Sequence, residues 1–90
     1  MLRFRGHALR RMFERGITVA DVERVLATGE TIREYGGDRP YPNRLVLGWS
    51  RDRPIHVLAA DDPESSLTVV ITACQPDPAR WEPDFGRRRP

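Results

Sequence analysis

The sequence contains no lysine, one cysteine and two histidines among its 90 residues. Because Cys74 stands alone, an internal disulfide framework and a cysteine-rich zinc site are both excluded. No apolar stretch comes near the roughly 20 residues that span a bilayer. The amino-terminal segment MLRFRGH is too short and too polar for a signal peptide. We therefore expect a cytoplasmic protein that does not enter a membrane and uses no metal or other cofactor.

All fifteen basic residues are arginine, and the formal net charge is +2. Each arginine has a planar guanidinium group that can bind a phosphate through two parallel hydrogen bonds and can stack on a base. The net charge permits nucleic-acid binding but is too small to establish it. The length suffices for one domain. We expect a single α+β domain over residues 1–82 and a basic, flexible tail over residues 83–90.

The first third of the sequence has the 3.6-residue periodicity of two helices. Gly16 is expected to end the first helix, and Thr18 with Asp21 three residues later forms a variant of the capping box that begins the second. The short connection between them predicts a helical hairpin. The residues expected to bury their side chains in these helices are Leu9, Met12, Phe13, Val22 and Leu26.

After the second helix the periodicity changes to that of β-strands. The predicted strands are residues 30–35, 44–50, 54–61 and 67–74. Short, turn-rich connections join the last three strands, which favours antiparallel pairing. The sequence therefore predicts an α+β fold in which the N-terminal helical hairpin packs on one face of a three- to four-stranded antiparallel sheet.

Two helices can cover only one face of such a sheet, so the alternation of side chains assigns each strand residue to a core face or an open face. The residues expected in the core are Leu47, Trp49, Val57, Val69 and Ile71. The residues expected on the open face are Arg44, Val46, Gly48, His56, Val70 and Thr72. Arginine, histidine and threonine on one open face are typical of a binding site, although a solvated half-polar face would have the same pattern.

Histidine, arginine and tyrosine remain as the residues that could carry chemistry. His7 and His56 have no metal-ligand spacing, and Cys74 has no helix N-terminus beside it to lower its pKa. This set suits metal-free RNA cleavage, in which a general base takes the proton of the attacking 2′-hydroxyl, an acid protonates the leaving 5′-oxygen and arginines stabilise the phosphorane. The alternative is that His7 only caps a helix and His56 only fills a strand position.

Four segments, HALRRMFERGI, VERVLATGE, RLVLGWSRDRPIHVLAA and TVVITACQPDPARW, resemble the bacterial domain-of-unknown-function 4258 family. The resemblance extends from about Phe4 to Trp81. That family is similar to the RelE-like toxins, whose fold is of the barnase–EndoU–colicin–RelE type, and in particular to MqsR-type messenger-RNA interferases. The resemblance implies a metal-independent endoribonuclease that cleaves RNA, and a cognate antitoxin with a zinc-binding CxxC segment and a helix-turn-helix.

The resemblance also implies where the site lies, with a helix contribution from His7, Arg11 and Arg15 and a strand contribution from His56 and Thr72. The candidate catalytic residues are His7, Arg11, His56 and Thr72. The candidate RNA- and phosphate-binding residues are Arg10, Arg15, Tyr35, Tyr41 and Arg44. Relatives often have tyrosine where this sequence has Cys74, so an aromatic side chain that could stack on a base is absent. Two other functions stay open: a non-catalytic RNA- or ribosome-binding module, and a protein–protein interaction module.

Overall fold

The structure is a computed structural model that describes residues 1–37 and 42–90. In chain order its elements are β1 (Leu2–Phe4), α1 (Gly6–Glu14), α2 (Val19–Thr28), β2 (Glu30–Tyr35), β3 (Asn43–Ser50), β4 (Arg53–Asp62) and β5 (Leu67–Cys74). The four strands predicted from alternation are therefore present. The predicted architecture is nevertheless wrong, because a further strand precedes the helices and the sheet is not purely antiparallel.

The sheet has five strands in the order β1-β5-β4-β3-β2. Strands β2 to β5 pair antiparallel with their neighbours, as their short connections require. Strand β1 lies at the edge and pairs parallel with β5, with Leu2 opposite Thr68 and Phe4 opposite Val70. With only three residues, β1 is too short for alternation to distinguish it from an irregular N-terminus. The result is a mixed sheet with one parallel pair.

Each helix packs against the sheet, on different strands. Helix α1 contacts β5, whereas α2 contacts β3 and β4, so the predicted helical hairpin is replaced by two helices that share one face of the sheet. The core between these layers consists of Met12, Ile17, Val22, Val25, Val46, Ile55, Val57, Ala59, Val70 and Ala73. Within the described parts of the chain, no helix is long and apolar enough to cross a membrane.

The connection between the helices follows the capping pattern in the sequence. Gly16 has a φ of +67° after the end of α1, and the Ile17 N–H donates to the Met12 carbonyl at 2.9 Å, which turns the buried Ile17 side chain back onto the core. Thr18 Oγ1 accepts from the Asp21 N–H at 3.0 Å, and the Thr18 N–H donates to Asp21 Oδ2 at 2.8 Å. The predicted capping box is confirmed.

The expected faces of β3 are reversed. Val46, Gly48 and Ser50 point towards the helices, whereas Trp49 is half exposed on the other face. Leu47 is buried as expected, although it does not face the helices. The reason lies at Gly48, where an added Cβ would come within 2.9 Å of the Val25 Cα. Helix α2 lies so close to β3 that only glycine fits there.

The alternation of side chains predicts the faces of β5 correctly for only some of its residues. Its register against β4 shifts between Leu58 and Ala59, where Ile71 is the extra residue. This bulge moves Val70 from the expected open face into the core, while Thr72 stays on the open face. Among the expected core residues of α1, Met12 is buried but Leu9 and Phe13 are 45% and 88% exposed.

The segment after β5 lies over the open face, the face away from the helices. Trp81 forms a bridge with Arg88, and the rings of Trp49 and Phe85 meet edge to face with their centroids 6.0 Å apart. Phe85 belongs to the predicted flexible tail of residues 83–90, and flexibility of that tail stays a prediction. The structure gives the tail defined contacts through which it can be tested.

Candidate nucleic-acid interface

A buried carboxylate organises one end of the molecule. Asp21 lies in the first turn of α2, where the capping box fixes it, and its side chain is 2% exposed. Besides the Thr18 N–H, Ser50 Oγ donates to Asp21 Oδ1 at 2.6 Å and Arg51 Nη2 donates to Asp21 Oδ2 at 2.7 Å. Arg53 Nη2 lies 3.3 Å from the same oxygen. The carboxylate therefore joins α2 to the β3–β4 connection.

The β3–β4 connection is a two-residue turn that aims arginines at this carboxylate. Arg51 and Asp52 have φ values of 53° and 62°, the left-handed conformations of the tight hairpin turn whose twist matches its strands. Arg51 Nη2 and Arg53 Nη2 both donate to the Gly16 carbonyl as well as to Asp21. Because both side chains are bound on two sides, the hairpin is held against the end of α1 and the start of α2.

Arg24 completes the group, which we call the arginine cluster: Arg24, Arg51 and Arg53. Arg24 Nη1 donates to Ser50 Oγ and lies 3.9 Å from Asp21 Oδ1. Burial alone would raise the pKa of Asp21, but the hydrogen bonds from Ser50, the Thr18 backbone and Arg51 hold that pKa well below its usual range. Asp21 is therefore ionised at neutral pH.

The arginine cluster carries more positive charge than its acceptors neutralise. Asp21 supplies one negative charge to three guanidinium groups, and the Gly16 carbonyl neutralises none. The side chains of Arg24 and Arg51 are 52% and 58% exposed, so both can reach a ligand in solvent. The further acids nearest in sequence are Glu23, directly before Arg24, and Asp52, in the turn between Arg51 and Arg53, and both are exposed. The cluster is thus a preorganised, partly exposed and positively charged surface, whose guanidinium groups have the chemistry to hold an anion.

The predicted helix residues lie beside this end of the molecule. His7, Arg10, Arg11 and Arg15 are all exposed on α1 or directly after it. Arg15 Nη1 donates to the Ala73 carbonyl at 2.9 Å, and the Arg15 carbonyl accepts from Arg53 Nη1 at 3.5 Å. His7, Arg11 and Arg15 therefore form a stripe that ends at the arginine cluster.

The predicted strand residues lie on the opposite side of the sheet. His56 pairs in register with Cys74, and Thr72 with Leu58, all on the face away from the helices. His56 is 3% exposed, and its Nε2 donates to the Phe85 carbonyl at 2.8 Å. The His56 ring also meets the edge of Trp81 with centroids 4.4 Å apart.

Burial lowers the pKa of His56, while the hydrogen bond to Phe85 acts in the other direction. His56 is therefore a neutral ring that holds the C-terminal segment on the sheet. The structure does not bring it together with His7, because the sheet separates the two side chains. These contacts are those of the alternative in which His56 only fills a strand position, and its predicted catalytic role stays a prediction.

The remaining candidates lie elsewhere. Arg44 Nε donates to Asp61 Oδ2 at 2.8 Å, which lowers the pKa of Asp61 and leaves Arg44 compensated. Tyr35 is exposed at the end of β2, opposite Asn43, so it shares the Arg44 end of the sheet. Tyr41 lies outside the described residues. Burial raises the pKa of the Cys74 thiol, partly opposed by Arg15, which makes Cys74 a poor nucleophile.

Sequence reasoning missed the arginine cluster. The segment SRDR predicts only a hairpin connection, whereas in the structure its two arginines, Arg51 and Arg53, both contact the Asp21 carboxylate. The capping box also fixes the carboxylate of Asp21 at the start of α2. In the structure this carboxylate lies beside the hairpin and pairs with Arg51 and Arg53. Among the described residues, no group of three histidine, cysteine, aspartate or glutamate side chains could hold a metal ion.

Comparison with known proteins adds the family. No curated protein and no solved structure gives a significant match to the chain. The family described as a domain of unknown function (DUF4258) matches residues 4–75. This segment includes both helices, strands β2 to β5 and the last residue of β1. The matched segment contains the whole arginine cluster and ends before the C-terminal segment that covers His56. The chain therefore belongs to the DUF4258 family.

Proposed function

We propose that the protein binds single-stranded RNA by its phosphate groups, and that the arginine cluster is the centre of the binding surface. One observation carries this proposal: Arg24, Arg51 and Arg53 converge on the single buried carboxylate of Asp21. Guanidinium groups held in fixed orientations can bind phosphate oxygens through paired hydrogen bonds without first losing side-chain freedom.

The surroundings of the cluster extend this surface. Arg10 and Arg11 are exposed on α1, and neither has an acidic partner among the described residues. A strand of RNA running from the cluster along α1 would meet Arg15 and then Arg11, which are one helical turn apart, with Arg10 next to Arg11. This local surface explains how a chain with a net charge of only +2 could bind a polyanion.

Binding can be measured by fluorescence anisotropy of a labelled single-stranded RNA at a series of salt concentrations. Each phosphate contact should contribute a slope of about −0.7 to the dependence of log K on log salt. We expect the double variant Arg24→Gln and Arg51→Gln to weaken binding and reduce that slope by about 1.4. Arg33→Gln, which removes one exposed arginine from β2, is the control, and circular dichroism establishes that each variant is folded. Equal losses in both variants would contradict the proposal.

Cleavage of the bound RNA is a second proposal, and the position of His7 favours it. His7 lies one and two helical turns before Arg11 and Arg15, so a phosphate bound by these arginines would lie within reach of an exposed imidazole. His7 would act as the acid or base, and Arg11 would stabilise the negative charge of the transition state.

The test for cleavage is incubation of RNA with the protein in the presence of a chelator. We expect products ending in a 2′,3′-cyclic phosphate from the wild type and none from His7→Gln, while His56→Gln stays active. Identical cleavage by the wild type and His7→Gln would exclude His7 as the acid or base. RNA that is bound but not cut would leave the protein as an RNA-binding module.

A toxin-like role adds a protein partner to the proposal. The resemblance to RelE-like toxins implies an antitoxin with a zinc-binding and a helix-turn-helix segment. Leu9 and Phe13, one helical turn apart on α1, supply an exposed apolar surface for such a protein beside Arg10. Co-expression with the protein encoded by the neighbouring gene should yield a complex that Phe13→Ser weakens. Unchanged affinity in Phe13→Ser would remove α1 from the interface.

A further inference from the structure

A pocket of about 330 Å³ lies where α2 ends against β3. Its lining residues are Thr28, Gly29, Glu30, Leu47, Gly48 and Trp49. None of these residues was a sequence-based candidate for binding. Its volume falls at the lower end of the range for small-molecule sites, which is sufficient for one flat aromatic group.

The pocket exists because β2 is shorter than the strand beside it. The pairing of β2 with β3 begins at Glu30 opposite Leu47, whereas β3 continues to Ser50. The end of α2 occupies the space beside this extension. A Cβ at Gly29 would come within 2.4 Å of the Leu47 carbonyl oxygen, so this wall is a backbone contact that only glycine allows. Backbone walls of this kind give the pocket a fixed shape.

Trp49 forms one side of the pocket. Its ring packs against the ring of Phe85 at an interplanar angle of 71°, and half of the residue remains exposed. A tryptophan anchored on one side and exposed elsewhere has the geometry of a stacking platform.

Arg24 connects this pocket to the arginine cluster. On α2 it lies one turn before Thr28, whose Oγ1 donates to the Arg24 carbonyl at 2.8 Å. Its guanidinium group donates to Ser50 Oγ, in the residue next to Trp49. Arg24 thus lies on the helix side of the pocket, one turn before its lining residue Thr28, and leaves half of its own side chain exposed.

We propose that this pocket binds one nucleobase of a single-stranded RNA, stacked on Trp49, while Arg24 binds the adjoining phosphate. The inference rests on the proposed RNA binding and specifies which part of the nucleotide each residue recognises. Glu30 at the pocket excludes a phosphate from the pocket itself and can accept a hydrogen bond from the amino group of a base. Adenine, cytosine and guanine should therefore bind better than uracil, which has no amino group.

The test compares two labelled RNAs of equal length, one intact and one with an abasic nucleotide at its centre, by anisotropy. The wild type should bind the intact RNA about 5- to 150-fold more tightly, as expected for stacking of one base on an aromatic ring. Trp49→Leu should bind both RNAs equally and keep the wild-type salt slope. Trp49→Phe should restore part of the preference, and Tyr35→Leu is the control for loss of an exposed aromatic residue.

The outcomes separate this inference from the proposed function. Salt-dependent RNA binding that Trp49→Leu leaves unchanged overturns the base pocket and keeps the phosphate surface. Failure of the wild type to bind either RNA overturns both. If Trp49→Leu is unfolded, a second measurement replaces that variant. Adenosine monophosphate is added to the wild type, and the NMR signal of the Trp49 indole is expected to shift. An indole signal that stays unshifted, or shifts only with a peptide, contradicts the proposal.

Discussion

Replacing Asp21 with asparagine would remove the charge on which the arginine cluster converges while keeping the size of the side chain. In the wild type the carboxylate accepts hydrogen bonds from the Thr18 N–H at 2.8 Å and from Ser50 Oγ at 2.6 Å, in addition to its contacts with Arg51 and Arg53. Asparagine has one acceptor oxygen and presents an amide NH₂ in place of the other. That NH₂ would face guanidinium donors with which it cannot bond.

The structure sets the size of the effect. Breaking a buried ion pair by removing one partner costs about 3–5 kcal/mol. Arg24 and Arg51 are more than half exposed and can bind water once released, which places the cost at the lower end. We therefore expect Asp21→Asn to lower the free energy of unfolding by about 3 kcal/mol and the Tm by about 10–25 °C.

Chemical denaturation and thermal melts followed by circular dichroism would measure this loss. Asp52→Asn is a matched control, because it makes the same chemical change in the exposed turn two residues after Ser50, where asparagine accepts the left-handed backbone. The control should change stability by no more than about 0.5 kcal/mol. Losses of equal size in the two variants would refute the assignment of Asp21 as the centre of the cluster.

The dependence on pH provides an independent check. Because the pKa of Asp21 is lowered in the folded protein, the unfolded chain binds a proton more readily, and the stabilisation from Asp21 is present in full above the unfolded pKa of about 3.9. It is lost as the pH falls from there through the folded pKa. The difference between wild type and Asp21→Asn should therefore be constant near neutral pH and shrink in acid. A difference that stays constant down to acid pH would mean that the charge of Asp21 contributes nothing.

Three further results are expected. Gly48→Ala should destabilise the protein by about 1–3 kcal/mol, since its Cβ would collide with α2, whereas Gly6→Ala, which meets no atom within 4 Å, should not. Phe13→Ser should change stability by no more than about 0.5 kcal/mol, while Met12→Ala should cost about 2–5 kcal/mol, as measured by denaturation. Because burial lowers the pKa of His56, its contribution to stability should be lost as the pH falls below the unfolded pKa of about 6.5. NMR signals of the C-terminal segment should shift together over that pH range, and His56→Gln should abolish this pH dependence.

The sequence predicts the local elements well because their signals are local. The capping box at Thr18, the glycine after α1 and the presence of four strands are each predicted from neighbouring residues, and each is confirmed. The face of β3 depends instead on what packs against it. Alternation could not say whether Leu47 or Gly48 faces the helices, and the larger side chain was the wrong choice because α2 lies too close for it.

The candidate site divides along the same line. The helix stripe of His7, Arg11 and Arg15 follows from helical spacing alone, and the structure keeps it on one exposed side of α1. The contribution of His56 depended on which face of the sheet the helix covers. In the structure α1 packs on the face of the sheet opposite His56, and the His56 ring is hydrogen-bonded to the Phe85 carbonyl. The spacing of residues within β4 contains no information about either contact.

The parallel pairing of β1 with β5 imposes an order on folding. Leu2 pairs with Thr68, so on the ribosome β1 must wait until β5 has been made. Helices α1 and α2 emerge early, but the strands that cover Met12, Val22 and Val25 follow only later in synthesis. Until then the nascent chain presents an uncovered apolar surface, on which chaperones act. Contacts so distant in sequence also make folding slow for a domain of this size. Pairing of the edge strand β1 is therefore expected to be complete only after β5 has left the ribosome.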